Sequence, residues 1–467
     1  MSSSEKPVGS DHPARQSPGT HPRGLRREVT FLQLVAYGLV FIGPAAAVGV
    51  FGALDAKSGG VVPLVYLVAT LAMALTASSY ALMSRAVPRA GSVFAYAQVA
   101  IGPRAGHMAG WMVLLDYLLI PSVAYLFSGI ALNSLFPAVP VWAFVIVAVV
   151  VTTGLNIAGV RVTARISMVV VIVETLVLLA VLAAGARVLA LHGPVRGWLE
   201  PFTGGAAGLS WHLLLGAVAV AVLSYLGFDA LATFAEETRG GSAVIGRATL
   251  VCLVVVGILF MAQTYVGALL SPLSTAELQA DPSLQGSAYY AMVQSEISGV
   301  LYWLLALAKA VGAVFSALVG QAAASRIMLD MGRSGALPAF FSRVSARTGA
   351  PLTGVLVAAL GNVLVAGWAA TRGDGLDLVV SLVDVGALTG FVLVHASVIA
   401  YFAIRRRGGR VSVARHVVVP VLGAFVLLAV LANSTRVALL VGVAWAVLGA
   451  VVLVARRRRA ARDDAAA

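Results

Sequence analysis

The sequence predicts an all-α polytopic membrane protein of twelve transmembrane helices, and three observations carry that prediction. First, 60% of the 467 residues are hydrophobic, only 11% are charged, and the mean hydropathy is +0.96. A water-soluble domain runs at about 45–50% apolar and about 25% charged, so a soluble fold is excluded. Second, apolar stretches recur from Phe31 to Val454, each long enough as a helix to cross a hydrocarbon core of about 30 Å. Third, helix-breaking residues stand near the middle of the first and the sixth of these stretches.

The expected spans lie near 31–54, 61–84, 107–132, 141–156, 167–189, 211–235, 249–270, 300–328, 353–370, 379–402, 417–431 and 437–454. They read as helices because they are continuous apolar runs, whereas a membrane barrel needs short strands that alternate apolar and polar residues. Residues 1–29, rich in Ser, Pro, Gly and Arg, read as a disordered tail. No signal peptide is expected, because the first apolar run is too long and begins too far from the N-terminus. The resulting organisation is a tail (1–29), a first repeat of spans one to five (30–190), a second repeat of spans six to ten (191–404), two further spans (405–455) and a basic tail (456–467).

The net charge of +13 invites a nucleic-acid reading, which its distribution removes. With both tails placed in the cytoplasm, 26 of the 32 Lys and Arg fall on the cytoplasmic side. Five, Lys57, Arg187, Arg196, Arg372 and Arg436, fall outside, and Lys309 lies within a span. This is the asymmetry of the positive-inside rule, so the basic runs Arg405-Arg406-Arg407 and Arg456 to Arg459 read as topology anchors against anionic headgroups. The expected location is the plasma (inner) membrane. The sole cysteine, Cys252, rules out an intrachain disulfide and points to no metal cluster.

Interior Pro and Gly free backbone groups that survive in a membrane only where protein or a watery cavity satisfies them, so such breaks mark cavities. Phe41-Ile42-Gly43-Pro44-Ala45 breaks the first span, and Tyr225-Leu226-Gly227-Phe228-Asp229 breaks the sixth. Interrupted spans at matching places in two halves point to an inverted repeat with a midplane solute site built from half-helix ends. The N–H end of a half-helix suits a carboxylate and the carbonyl end an ammonium group or cation, so an amino acid or amine fits both. The single breaks taken alone also fit ordinary Gly and Pro use in membrane helices.

An ionisable residue at the bilayer centre costs about 2.5–3.5 kcal/mol on insertion scales, so each one within a span is a functional candidate. They are Asp116 in the third span, Glu174 in the fifth, Asp229 at the sixth-span break, Lys309 in the eighth, and Asp384 and His395 in the tenth. The competing reading for each is a structural polar contact between helices. Glu174 and Asp229 are the candidates for a proton-coupling group, since burial favours the neutral form of a carboxyl and a change of surroundings releases the proton. Asp116, beside the Tyr117 phenol, suits an ammonium head through a charge-assisted hydrogen bond and a cation–π contact. Tyr225, Phe228 and Phe315 are candidate aromatic caps, with core packing as the alternative.

Several motifs in order resemble the amino acid-polyamine-organocation superfamily of secondary transporters. They are Gly43-Pro44; Pro88-Arg89-Ala90-Gly91-Ser92-Val93-Phe94-Ala95-Tyr96; Asn156-Ile157-Ala158-Gly159-Val160-Arg161; Tyr225 to Ala230 followed by Glu236-Glu237; and Met331-Gly332-Arg333-Ser334-Gly335-Ala336-Leu337-Pro338. The resemblance covers Phe31 to about Phe402 and implies the leucine-transporter type of five-plus-five fold with discontinuous first and sixth helices. It implies that Ile42, Gly43, Pro44 and Ala45 offer backbone groups to the substrate and that Leu223 to Phe228, including Tyr225 and Gly227, line the opposite wall. It places Asp229 at a gating or proton-linked position and Glu174 where proton-coupled relatives keep an ionisable group. Leu115-Asp116-Tyr117-Leu118-Leu119-Ile120-Pro121 resembles the putrescine-importer branch and favours an amine-bearing substrate.

The expected function is import of an amino acid or polyamine by alternating access, with a proton rather than sodium as the co-transported ion. An obligate exchanger on the same fold and a non-transporting sensor are the alternatives. No nucleotide loop, no His-Glu-x-x-His and no soluble domain suggests an enzyme or a bound cofactor, and two nonidentical broken helices argue against a channel.

Overall fold

The computed structural model describes residues 30–87, 92–158, 163–205, 208–229, 231, 242–333, 335, 337–345, 350–407 and 410–466. The motif residues at 88–91, 159–161, 230, 236–237, 334 and 336 lie outside these. Among the described residues every regular element is helical. The chain runs through α1 (Phe31–Ile42), α2 (Ala46–Ser58), α3 (Val62–Ala86), α4 (Ser92–Ala100), α5 (Pro103–Leu135), α6 (Val141–Ala158), α7 (Thr163–His192), the single turn α8 (Glu200–Thr203) and α9 (Trp211–Leu223). It continues through α10 (Ser242–Leu270), two short helices, α11 (Thr275–Ala280) and α12 (Ala288–Met292), then α13 (Gly299–Arg333), α14 (Leu352–Ala369), α15 (Gly375–Val398), α16 (Val419–Ala432) and α17 (Arg436–Ala466).

Nine of the described helices are long and apolar enough to cross a membrane, or ten if the bent pair α1 and α2 is one span. Two further apolar helices, Val141–Ile157 and Trp211–Leu223, are shorter. The layering follows from where apolar side chains find protein rather than lipid. In α5 and α15 72% of the apolar window is buried, against 28% in α7 and 17% in α17, so α5 and α15 form the centre and α7 and α17 the rim. Leu176, Leu179, Leu440 and Val443 accordingly point outward as exposed apolar residues.

Close helix approach at the centre rests on small residues, as expected where lipid offers no hydrophobic drive between helices. A Cβ on Gly386 of α15 would stand 2.9 Å from the Asp116 backbone N, and one on Gly390 would stand 2.5 Å from Val113. Pro121 sits inside α5 and packs on α13, where a Cβ at Gly320 would lie 3.1 Å from its ring. On the rim, α17 is pinned to α5 by a reciprocal pair: the indole N–H groups of Trp111 and Trp445 each donate to the other's carbonyl oxygen at 2.8 Å.

At the end of the bundle that holds the α2 C-terminus, the helix is tied down by charge. Asp55, fully buried, accepts from Arg196 at 3.0 Å and from the Thr275 hydroxyl at 2.6 Å. Lys57 pairs with Asp377 at the start of α15. Removing one partner of a buried pair strands the other charge, so Asp55→Ala is expected to destabilise the protein by about 3 kcal/mol. Thermal melting in detergent checks this; an unchanged melting temperature would show that the Arg196 contact contributes nothing.

Candidate functional site

The first break forms because Gly43 adopts φ +75°, a left-handed conformation that costs glycine little, and because Pro44 cannot donate to the helix ladder. The helix axes bend by 43° there. The freed Pro44 carbonyl is not left bare: the buried Gln263 of α10 donates its amide to it at 2.8 Å. At the second break α9 ends at Leu223, four residues leave the helix, and Gly227 takes φ +113°. The two breaks touch. A Cβ on Gly227 would fall 2.2 Å from Cδ1 of Phe41, the penultimate residue of α1.

Between the breaks lies a cavity of about 60 Å³, walled by Ile42, Gly43 and Ala46 on one side and Leu223, Ser224 and Leu226 on the other. Its remaining walls come from α5, α7 and α13, and two charged side chains reach it: Glu174 of α7 and Lys309 of α13. Both are buried, at 2% and 4% exposure. They face each other electrostatically, yet the ion pairs found among the described residues are elsewhere, at Lys57–Asp377, Arg196–Asp55 and Arg372–Asp374. The Lys309 ammonium lies 5.1 Å from the centre of the Phe127 ring, a cation–π distance. The Glu174 carboxylate rests against Gly312, where a Cβ would stand 2.6 Å from Oε2. Ser316, one turn further along α13, donates to the Phe41 carbonyl at 3.5 Å.

The structure brings together Ile42, Gly43, Leu223, Ser224, Leu226, Glu174 and Lys309 of the residues singled out from the sequence, with Pro44, Ala45 and Gly227 in the backbone of the two breaks. It places Tyr225 elsewhere. Its ring packs with Tyr66 and Phe260, and its hydroxyl meets Thr70 at 2.6 Å, so it anchors the second break to α3 and α10. Phe228 packs on Tyr80 and Phe391, and Phe315, half-buried on α13, does not line the cavity.

Asp116, Tyr117 and Asp229 form a second buried polar group. Tyr117 donates to Asp229 Oδ2 at 2.8 Å, and Asp229 and Asp384 are the charged groups that act on Asp116. None of the four lines the cavity. His395 is a buried packing residue that bonds Ser79 at 2.9 Å and Thr76 at 3.3 Å, with Gly423 under its ring.

Gln263 and Ser316 were not singled out from sequence. Gln263 is a lone amide in the apolar run from Val251 to Leu270, so the rule that flags intramembrane polar groups reaches it when amides are included. Ser316 carries no such signal, because Ser is common at helix contacts in membranes.

A helical bundle in which α1 breaks at Gly43-Pro44 and α9 ends at Leu223 against the same partly open cavity, with two charged side chains in its wall, fits the class of membrane solute carriers. Within it, the chain belongs to the amino acid permease family, whose model matches residues 32–455. It is 29% identical over 445 residues to the low-affinity putrescine importer PlaP of Escherichia coli (strain K12), an alignment covering 94% of this chain and 95% of that one. It is 26% identical to the branched-chain amino acid permease BcaP of Lactococcus lactis subsp. cremoris (strain MG1363), covering 74% of each chain. The mitochondrial cationic amino acid transporter 3 of Arabidopsis thaliana is 27% identical, over 81% of this chain and 63% of its own length. The family is one of transporters rather than enzymes, and the superfamily expected from the motifs is the one found.

Proposed function

We propose that the chain is a twelve-span importer of an amino acid or polyamine, built as two inverted five-helix repeats and working by alternating access with a co-transported proton. In this reading the twelve spans are α1 with α2, α3, α5, α6, α7, α9 with the turn after it, α10, and α13 to α17. Both termini face the cytoplasm of a cell whose plasma membrane holds the protein, which agrees with the distribution of Lys and Arg. The observation that carries the reading is the cavity between the two breaks with the Glu174 carboxyl in its wall. A solute held by half-helix ends and a carboxyl able to take a proton at the same place give the two bindings a common site, which coupling requires.

Glu174 is the coupling acid of this proposal. Asp229 stands second, because it is hydrogen-bonded to Tyr117 outside the cavity. The test is uptake into proteoliposomes holding no internal substrate, with the outside made acid. Net accumulation of an amino acid or polyamine that collapses with the proton gradient is expected. Counterflow without net uptake would identify an obligate exchanger, and accumulation that needs sodium would replace the proton.

A further inference from the structure

We infer that Lys309 is the receptor for a substrate carboxylate, freed for that task when Glu174 takes a proton, so that the cavity admits a carboxylate-bearing amino acid together with one proton. The inference deepens the proposed function and rests on it.

Two features of the cavity carry it. Among the described residues Glu174 and Lys309 are the only charged ones that line the cavity; each is buried, and the ion pairs stand elsewhere. Lys309 has an aromatic face at 5.1 Å and, among the described residues, the field of Glu174. A buried ammonium with donors to spare is costly unless an anion completes it. The Glu174 oxygens lie against Gly312. The pair is therefore balanced in charge but open in geometry.

Charge balance then fixes the order of events. With Glu174 ionised the empty cavity is neutral. Protonating Glu174 leaves Lys309 uncompensated in a low-dielectric wall, and a carboxylate entering the cavity restores neutrality. The substrate's own ammonium needs a counterpart, and the fold supplies it: α1 ends at Ile42 and α9 at Leu223, so the negative ends of two helix dipoles meet the cavity. The positive end of α2, at Ala46, lies on the same wall as Gly43. A diamine offers the helix ends an ammonium but has nothing for Lys309, which repels both of its charges. Among the described residues the titratable groups that act on Glu174 are Lys309 from α13 and Tyr290 from α12; α1, α10 and the segment Val293–Ile297, which carries Glu296, also pack on α7. Asp116, Asp229 and Asp384 lie outside the cavity lining.

The test uses the full chain in detergent and in proteoliposomes. Binding of labelled alanine is competed by alaninamide, ethylamine and putrescine, which keep an amine and lack a carboxylate. Alanine is expected to bind at least about 30-fold more tightly than each, the loss that follows when a buried charge partner is removed. Lys309→Met is expected to lose that margin while its melting temperature stays near that of the native chain. Equal competition by putrescine or alaninamide overturns the inference, as does a Lys309→Met protein that binds alanine unchanged. Should the variant misfold, the competition in the native chain still decides. Flux of amines without carboxylate preference sinks this inference alone, whereas alanine binding with no flux of any solute sinks the transport reading.

Discussion

Gly227→Ala is expected to abolish transport and to lower the melting temperature of the protein by several degrees. Two costs combine at this residue. Its φ of +113° is one that a side-chain-bearing residue rarely adopts, and the added Cβ would stand 2.2 Å from Cδ1 of Phe41. Backbone strain and overlap together amount to about 3 kcal/mol. Phe41 lines the cavity at the end of α1, so its ring can give way only into the space that a solute would occupy. The contact is where the two breaks meet, so in the proposed alternating-access cycle the damage falls on the element that has to move. A double variant separates the two costs: Phe41→Ala in the Gly227→Ala background removes the overlap and leaves the strained φ. Partial recovery of the melting temperature is the expected result, and additive losses would show that the two residues do not couple.

How much of this was legible in the sequence depends on which interactions are local. The breaks at Gly43-Pro44 and Gly227 were legible because glycine tolerates a positive φ and proline lacks an N–H, which lets a helix stop there; Pro121 inside α5 and Gly386 inside α15 show that neither residue alone compels it. The transporter family followed from motifs of the same local kind. What surrounds the breaks was less legible. The helical phase that orients side chains is lost after Leu223, and the turn carries Tyr225 toward Tyr66 and Phe260 instead of the cavity. Glu174 and Lys309 were each visible as intramembrane charges, but their meeting across α7 and α13 is tertiary, and no spacing along the chain encodes it. The same holds for Gln263, whose partner is the Pro44 carbonyl of a distant helix. Asp116 was singled out for its neighbour Tyr117, yet consecutive residues of a helix point in different directions. Tyr117 hydrogen-bonds Asp229, while Asp116 lies against Gly386.

Glu174→Gln is expected to uncouple the protein rather than to inactivate it. The amide keeps the shape that fits against Gly312 but carries no exchangeable charge, so each transport cycle moves solute without a proton. In the proposed cycle the proton is a co-substrate of the native chain, so uptake is expected to rise as the outside is acidified and to fall as outside pH rises. With the membrane potential clamped at zero, one proton per solute allows accumulation up to about tenfold for each pH unit of gradient, since one unit is worth about 1.4 kcal/mol. The variant should equilibrate its solute to the same concentration on both sides whatever the gradient, while counterflow continues and becomes independent of pH. A second consequence follows from Lys309. Without the Glu174 carboxylate that ammonium has no ionic partner in the cavity, so a carboxylate-bearing solute should bind the variant more tightly than it binds the native chain at neutral pH. It should also leave more slowly. Glu174→Asp, which retains the titrating group on a shorter stem, should keep gradient-driven accumulation at a reduced rate. If Glu174→Gln still accumulates solute in proportion to the pH gradient, the proton travels on another group. Asp229, held by Tyr117 behind the second break, would then be the residue to replace.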